Sequence, residues 1–367
     1  MNEFDVVVIG AGLTGSMTAR ALAQRGSSVL VLEARELGHA AGSSHGSSRG
    51  YRRGQSNPKL AEMAARSYHL WRELEEESGT SLLRLTGAID FGTDRRPAEL
   101  HATFLASGVK AELLSPADAE ERWPQMRFPT EVVYHADAGI LEPEAAIRAA
   151  LGAATRRGAI VRTGTPVQRI SREGASVLIH TAEETYRAGH VVAAMGPWLP
   201  GFLQANETGH PAPPLRTLRQ SVFHFPTRDG SDDWPVVICK QDRQFYAVPS
   251  GADTGTTPTI KVGMHDGGTE ISPDAAGGPD PEVLENILGF VRKWAPGLHD
   301  EPVRADTCFY TSTPDESFVL DRADRITLAS PCSGQGAKFS PLVGNMIADL
   351  ALGVTEPDPA FRIAAQL

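Results

Sequence analysis

The chain has 367 residues and a formal net charge of −10, so it lacks the basic excess that general binding of nucleic acid requires. Its three cysteines are scattered and show no zinc-type spacing with histidine, so we expect neither a disulfide framework nor a metal site. Hydrophobic residues make up 41% of the chain without a membrane-length apolar run, and the N-terminus has no signal-peptide pattern, which predicts a globular, cytoplasmic protein without a membrane partner.

The N-terminal segment predicts a βαβ unit. Residues 4–9 form a short apolar, β-branched run of the kind that makes a buried parallel strand. An alanine-rich stretch at 16–25 predicts a helix that Gly26 ends, and residues 29–32 predict a second strand. The order strand, helix, strand therefore predicts the start of a parallel sheet.

A glycine pattern joins the first strand to the helix. Gly10 permits the tight turn, Gly12 lets backbone approach a pyrophosphate, and Gly15 lets helix and strand pack closely. The helix N-terminus supplies N–H donors to phosphates. Glu33 follows the second strand near the spacing at which an acid accepts a hydrogen bond from a ribose hydroxyl. These features together predict a dinucleotide-binding site.

The dinucleotide is expected to be FAD. The glycine pattern lies close to the N-terminus, and a Gly- and Ser-rich stretch at 38–58 that follows it predicts a loop. A later strand, at 191–195, ends in Gly196, where the backbone could approach the nucleotide closely, although an ordinary turn after a buried strand explains this segment too. This arrangement favours FAD over NAD.

The remaining elements alternate in type along the chain. Helical spacing of apolar residues predicts helices at 60–77, 143–157, 282–294 and from about residue 341. Strands are predicted at 87–92, 159–162, 177–181, 222–225, 236–240, 245–250, 259–265 and after residue 304. The fold class is therefore α/β, with a Rossmann-like FAD-binding domain interleaved with a substrate domain built on a mixed or antiparallel sheet. We expect residues 1–82, 145–212 and 305–367 in the FAD-binding domain and residues 83–144 and 213–304 in the substrate domain.

Five further segments carry a resemblance to a known family. They are residues 45–52 (HGSSRGYR), 246–250 (YAVPS), 260–265 (IKVGMH), 308–321 (CFYTSTPDESFVLD) and 333–340 (SGQGAKFS). With these segments the chain resembles, over nearly its whole length, the family of monomeric sarcosine oxidase and N-methyltryptophan oxidase, among the flavoproteins related to D-amino-acid oxidase. The resemblance implies a monomer with covalent FAD, a bound amino-acid carboxylate, hydride transfer to the flavin and reoxidation by O2.

Cys308 corresponds to the cysteine that forms a thioether with the flavin in this family. Because the thiolate is the nucleophile, the resemblance implies a site that lowers the pKa of the thiol or holds it against an electron-poor flavin. The alternative is a small buried residue of a strand.

Four cations have roles that the resemblance implies. Arg52 and Lys338 correspond to the pair that binds the substrate carboxylate, and a guanidinium can engage a carboxylate through two parallel bonds. Arg49 corresponds to a residue that stabilises anionic reduced flavin, and Lys261 to the lysine that promotes reduction of O2. The alternative for Arg52 is a solvated arginine in a basic loop, since Arg49 and Arg53 are close to it in sequence. The alternative for Lys338 is a lysine that flanks a helix, and that for Lys261 is a strand lysine that faces water.

Tyr246 and His265 correspond to residues that line the substrate cavity, although core packing explains them almost as well. Gln335 stands where the family has histidine. Glutamine keeps a hydrogen-bonding group but does not titrate, so neither the substrate preference nor the pH profile of the family can be transferred.

The residues expected to contact the cofactor follow the glycine pattern and the matched segments. They are Gly10, Gly12, Leu13, Thr14, Gly15, Glu33, Ala34, Arg35, Ser43, Ser44, Arg49, Val167, Gly196, Trp198, Cys308, Ser333, Gly334, Gln335, Gly336, Ala337 and Lys338.

The expected activity is oxidation of a secondary amino acid, either N-methylated or a cyclic imino acid, with O2 reduced to hydrogen peroxide and the imine hydrolysed. The partners are then a small amino acid and O2. Two other functions stay open at this point: a flavin dehydrogenase that passes electrons to another acceptor, and a flavin-binding subunit of a larger complex.

Overall fold

A computed structural model describes residues 3–275 and 277–363. Within these residues the α-helices are α1 Leu13–Gln24, α2 Pro58–Ser78, α3 Pro97–Ala106, α4 Pro116–Arg122, α5 Pro143–Arg156, α6 Leu199–Ala205, α7 Pro281–Trp294 and α8 Ser340–Ala351. The strands of the same described ranges are β1 Glu3–Ile9, β2 Val29–Leu32, β3 Arg49–Arg52, β4 Leu83–Leu85, β5 Ala88–Phe91, β6 Glu112–Leu114, β7 Val132–His135, β8 Ala138–Leu141, β9 Ile160–Arg162, β10 Arg169–Glu173, β11 Ser176–His180, β12 Thr185–Ala193, β13 Arg216–Pro226, β14 Val236–Lys240, β15 Gln244–Pro249, β16 Thr259–Met264, β17 Thr269–Glu270, β18 Arg304–Ser312, β19 Val319–Ala323 and β20 Ile326–Ser330.

The first sheet has a parallel centre. Strands β9, β2, β1, β12 and β20 pair in parallel in that order, and the hairpin β10–β11 and strand β19 extend the sheet in antiparallel pairing. Residues 6–9 of β1 and all of β2 are apolar and buried, as expected where helices cover both faces of a parallel sheet. Helices α1, α5 and α8 contribute to the hydrophobic cluster on one face. The predicted βαβ unit is confirmed.

The second sheet is mixed. Its strands lie in the order β17, β13, β16, β15, β14, β5, β7, β6, with β18 paired to β13. Most of its pairs are antiparallel, and β14 and β5 are parallel. Helix α7 buries Ile287 and Phe290 in the cluster beneath this sheet. The α/β fold class with a second, mixed sheet is therefore confirmed.

A small third sheet, β3–β8–β4, packs against the second sheet through Ala138 and Ile140 of β8. The loop predicted at 38–58 is wrong for Arg49–Arg52, which form β3 and pair with β8. The sequence did not predict this strand, because it lies in a Gly- and Ser-rich stretch. Tyr51 has its only fully buried side chain, so the strand shows no apolar pattern. This pairing holds the backbone of Arg49 and Arg52 in place.

The strand that carries Cys308 has an unexpected position. β18 pairs with β13 in the second sheet, although its sequence lies in the segment assigned to the FAD-binding domain. The chain then crosses to the first sheet through β19 and β20. The domain boundaries remain a prediction. None of the helices in the described ranges combines the length and apolar character that crossing a membrane demands.

Candidate active site

The carboxyl ends of β1, β2, β12 and β20 meet at one edge of the first sheet. A cavity of about 1100 Å³ begins there and extends to β14, β15 and β16 of the second sheet. Its volume slightly exceeds the roughly 300–1,000 Å³ of ordinary small-molecule sites, as an extended cofactor with a substrate requires. The edge is also where open α/β sheets bind ligands.

The glycine pattern shapes the entrance of α1. Gly10 has φ +101°, and a Cβ there would overlap the carbonyl oxygen of Ala194. A Cβ on Gly15 would overlap the carbonyl oxygen of Gly10, so α1 and β1 approach more closely than an alanine allows. Gly12 and Leu13 line the cavity, where the N-terminus of α1 offers N–H donors to an anion. These residues fit the pyrophosphate of a dinucleotide.

Replacing Gly15 with alanine tests this close packing. Because the added methyl group meets backbone, we expect Gly15→Ala to lower the free energy of unfolding by about 1–3 kcal/mol and to reduce FAD content. Gly289→Ala in α7 is the control, since its Cβ meets no atom within 4 Å. The control is expected to raise stability by roughly 0.5–1 kcal/mol. Equal thermal unfolding of the two variants would contradict the packing argument.

Glu33 lies at the end of β2 with its carboxylate already oriented. One oxygen accepts the N–H of Ala11 at 2.8 Å and the other accepts the N–H of Arg35 at 3.0 Å. The side chain is nearly buried but lines the cavity, so a ribose hydroxyl could share this acceptor. Arg35 stacks over Trp198 at 5.4 Å from the ring centroid, which closes the same end of the cavity.

Almost all of the predicted site residues line this one cavity. The exceptions are Gly15, whose predicted role is packing, and Ser333. Ser333 is buried behind the cavity wall, has φ +42°, and donates its hydroxyl to the carbonyl of Ser317 at 3.3 Å. The structure therefore gives Ser333 a role in the turn. The residues that do line the cavity are Gly10, Gly12, Leu13, Thr14, Glu33, Ala34, Arg35, Ser43, Ser44, Arg49, Arg52, Val167, Gly196, Trp198, Tyr246, Lys261, His265, Cys308, Gly334, Gln335, Gly336, Ala337 and Lys338.

Cys308 is half-buried in β18 and lines the cavity. Burial raises the pKa of its thiol, while Arg49 and Lys261 act in the opposite direction. The expectation of a lowered pKa is therefore wrong, because desolvation outweighs the two cations. The other expectation, a thiol positioned against the flavin, stays a prediction.

Lys261 projects from β16 into a buried ion pair. Its Nζ donates to the carbonyl of Ser48 at 2.8 Å and lies 3.3 Å from a carboxylate oxygen of Asp253. The side chain is 5% exposed. Burial lowers the pKa of Lys261 to about 8, with Arg49 adding to the shift and Asp253 opposing it. The alternative of a strand lysine that faces water is therefore wrong.

Arg52 shares a carboxylate with Arg95. Arg52 Nη1 lies 3.2 Å from Asp90 Oδ1, and Arg95 reaches the same oxygen at 2.7 Å through Nε and 2.6 Å through Nη2. Asp90 is fully buried in β5, whereas both arginines line the cavity. Since one carboxylate serves two guanidinium groups, the cluster keeps a net positive charge toward the cavity.

Lys338 enters the same end of the cavity. Its carbonyl accepts hydrogen bonds from Ser67 and Trp71 of α2 at 2.8 Å and 3.0 Å, which fixes the turn before α8. Its Nζ donates to the carbonyl of Gln335 at 2.8 Å. Burial lowers the pKa of Lys338 well below its usual value, and Arg52 adds to the shift. An anion beside it would favour the charged form.

Tyr246 and His265 lie near each other on the second sheet. A Cβ on Gly263 would overlap the hydroxyl of Tyr246, so glycine makes room for that phenol. His265 Nε2 lies 2.8 Å from a carboxylate oxygen of Glu316, and its ring centroid is 5.6 Å from that of Tyr310. Burial raises the pKa of Tyr246, so the phenol stays protonated. Both residues line the cavity.

Sequence reasoning missed several residues of the cavity and its supports. Asp90 carried a detectable signal, because an acid within the apolar strand Ala88–Phe91 requires a cationic partner when buried. Arg95 and Lys240 have no such signal, since Arg95 lies in a short turn after β5 and Lys240 is the last residue of β14, positions where exposed cations are common. Tyr310 reaches its position through the pairing of β18 with β13, and Asp253 lies in a short 3-10 helix, Gly251–Thr254, between the paired strands β15 and β16.

Comparison with known proteins identifies the family. Residues 5–350 match the model of the FAD dependent oxidoreductase family. Monomeric sarcosine oxidase from Bacillus sp. (strain B-0618) is 32% identical over 371 residues, covering 97% of this chain and 94% of that protein. N-methyl-L-tryptophan oxidase from Yersinia pestis (strain Pestoides F) is 28% identical over 378 residues, covering 97% of this chain and 96% of the relative.

A solved structure agrees with these sequence matches. The open form of NikD, an amino acid oxidase essential for nikkomycin biosynthesis, superposes with a TM-score of 0.86 and 25% sequence identity. The match covers 98% of this chain and 96% of NikD. The chain therefore belongs to the FAD dependent oxidoreductase family and to its sarcosine-oxidase-like members.

Proposed function

We propose that the protein oxidises secondary amino acids, N-methylated or cyclic, and that O2 accepts the electrons to give hydrogen peroxide. One observation carries this proposal: a single cavity is lined by the dinucleotide glycines, by two cations, Arg52 and Lys338, and by the tyrosines Tyr246 and Tyr310. The relatives named sarcosine oxidase and N-methyl-L-tryptophan oxidase act, by their names, on N-methyl amino acids, which supports the substrate class.

The cofactor of this family fits the residues present. Gly10, Gly12 and the N-terminus of α1 would hold the pyrophosphate, and Glu33 would hold a ribose. FAD, when bound, supplies a two-electron acceptor for the C–N bond that is oxidised. Cys308 is proposed to bind it covalently through a thioether.

The substrate would be oriented through its carboxylate. Arg52 and Lys338 provide donors in a partly desolvated site, where charge-assisted hydrogen bonds are strong. Tyr246 and His265 would bound the space around the amine. The amine reacts as the neutral species, so the chain needs no strong general base. The protein contributes orientation and charge placement, and the imine product then hydrolyses.

Removing either carboxylate-binding cation should weaken substrate binding selectively. We expect Arg52→Gln and Lys338→Met each to weaken binding of methylthioacetate, a carboxylate analogue, by roughly 10- to 100-fold. An uncharged amine should bind each variant as it binds the wild type. Titrations followed by flavin absorbance, at matched FAD content, measure both. Wild-type affinity for the analogue in both variants would favour a plain amine oxidase.

The ionisation of Lys261 predicts a pH dependence of the reaction with O2. Because the pKa of Lys261 is lowered to about 8, its ammonium is present below that pH and is lost as the pH rises through it. The rate constant for reoxidation should therefore fall as the pH rises through about 8. Mixing dithionite-reduced protein with O2 in a stopped-flow instrument isolates this step from substrate ionisation. Lys261→Met should show no fall in this pH range, and an identical fall in the variant would assign the titration elsewhere.

A further inference from the structure

We propose that Arg95 and Lys240 form a second anion subsite in the cavity, which selects amino acids that carry a second carboxylate. The class comprises N-methylated acidic amino acids and imino diacids. This inference rests on the proposed function, because it names the substrate class of the same site.

The fold brings Arg95 and Lys240 to the same part of the cavity. β5 and β14 are parallel neighbours, and a short 3-10 helix, Thr93–Arg95, follows β5. Gly92 allows the turn between them, with φ +105°, and a Cβ there would overlap the carbonyl of Lys240. The turn that carries Arg95 therefore packs directly on the end of β14. Both side chains line the cavity.

The charge of Arg95 is only partly compensated. Its Nε donates to Asp90 Oδ1, the oxygen that Arg52 also contacts, and its Nη2 lies 2.6 Å from the same oxygen. Arg95 Nη1 makes no hydrogen bond to any residue of the described ranges. The side chain is 8% exposed, so water screens this charge poorly. Asp90 thus holds Arg95 in place. The edge of the guanidinium that carries Nη1 has no hydrogen bond to the described residues.

Lys240 adds a second cation without an ion pair. No carboxylate of residues 3–275 and 277–363 lies within 4.0 Å of its Nζ. Burial lowers the pKa of Lys240, Arg95 and Arg52 add to the shift, and Glu316 and Asp90 oppose it. Two arginines and two carboxylates therefore act on this ammonium, and none of those carboxylates forms an ion pair with it.

The charges at this end of the cavity favour a dianion. This end of the cavity has four cations, Arg52, Arg95, Lys240 and Lys338. It has two carboxylates, those of Asp90 and Glu316. When both lysines are protonated, two positive charges remain. The α-carboxylate of a substrate neutralises one of them, and a second carboxylate neutralises the other. A carboxylate fits the open fork of a guanidinium through parallel hydrogen bonds, which favours this group over an uncharged amide.

Matched substrates test the selectivity. We expect kcat/KM of the wild type for N-methylglutamate or N-methylaspartate to exceed that for N-methylglutamine or N-methylasparagine by about 10-fold or more. Arg95→Gln and Lys240→Met should each lower kcat/KM for the acids by roughly 10-fold with a much smaller effect on sarcosine. Arg95→Lys should keep part of the preference because it keeps the charge.

Arg96→Gln is the matched control. Arg96 is adjacent to Arg95 in sequence, but its side chain is 70% exposed and pairs with Glu99 outside the cavity. The Arg96→Gln variant should oxidise every substrate as the wild type does. Lys240→Met serves as the second variant because it breaks no ion pair, whereas Arg95→Gln changes the partners of buried Asp90.

A binding measurement separates this inference from the proposed function. Calorimetry with the FAD-loaded protein compares thiodiacetate with methylthioacetate, which differ by one carboxylate and need no turnover. Thiodiacetate should bind the wild type more tightly, and Arg95→Gln and Lys240→Met should remove the difference. Equal affinities in the wild type, or oxidation of amides as fast as acids, would overturn the second subsite and leave the proposed function intact. Failure to oxidise any N-methyl amino acid would instead overturn the proposed function, and calorimetry would still decide the subsite.

Discussion

Cys308→Ser is expected to release FAD from the acid-precipitated protein into the supernatant, whereas the wild type should retain it in the pellet. Cys308 lines the cavity from β18, a strand of the second sheet held in register against β13. Although burial raises the pKa of this thiol, Arg49 and Lys261 favour the thiolate, which is the form that can make a thioether. Serine keeps the size of the side chain and removes the nucleophile.

The other two cysteines are controls of different stringency. Cys239 is fully buried in the hydrophobic cluster of the second sheet, where burial raises its pKa to about 12. Cys332 lines the cavity, and its sulfur accepts the N–H of Thr311 at 3.2 Å. Cys239→Ser and Cys332→Ser should both keep FAD in the pellet. Release of FAD from Cys332→Ser but not from Cys308→Ser would assign the covalent attachment to Cys332. A yellow supernatant from the wild type would exclude a covalent bond to FAD.

Lys261→Met is expected to slow reoxidation of the reduced protein by O2 by about 10²–10³-fold or more, the scale of losing one preorganised charge. The ammonium is fixed by Ser48 and Asp253 before any reaction, so it can stabilise negative charge that develops on O2 without reorganising. Anaerobic reduction by substrate should change much less, because the substrate carboxylate is assigned to Arg52 and Lys338.

Two half-reactions measured separately decide this assignment. Lys293→Met, on the exposed face of α7, is the control and should match the wild type in both half-reactions. Equal losses in reduction and reoxidation by Lys261→Met would indicate a general disturbance of the site and reject a role specific to O2.

Local sequence patterns were sufficient to predict the residues at the nucleotide end of the site. The apolar run of β1, the glycines and Glu33 all act within one βαβ unit, so sequence spacing fixes their relative positions. Helices α2, α5 and α7 were predicted within about two residues at each end because each has helical apolar spacing and a clear start, with proline at the first turn.

The structure of the substrate end could not be predicted in the same way, because it depends on pairings between segments that are distant in sequence. β3 was hidden in a Gly- and Ser-rich stretch, and only its pairing with β8 makes it a strand. Arg95 reaches Asp90 from a turn whose local sequence resembles an exposed loop. The lowered pKa expected for Cys308 was wrong because the degree of burial of a strand residue cannot be read from its neighbours in sequence.

The proposed oxidase activity is tested most directly by measuring hydrogen peroxide and consumed substrate together while the purified protein turns over N-methyl amino acids in air. The proposal predicts one peroxide for each substrate molecule oxidised, with the dealkylation product in equal amount. Flavin reduction by the substrate without peroxide, coupled to turnover only when an artificial electron acceptor is added, would contradict the proposal and identify a dehydrogenase.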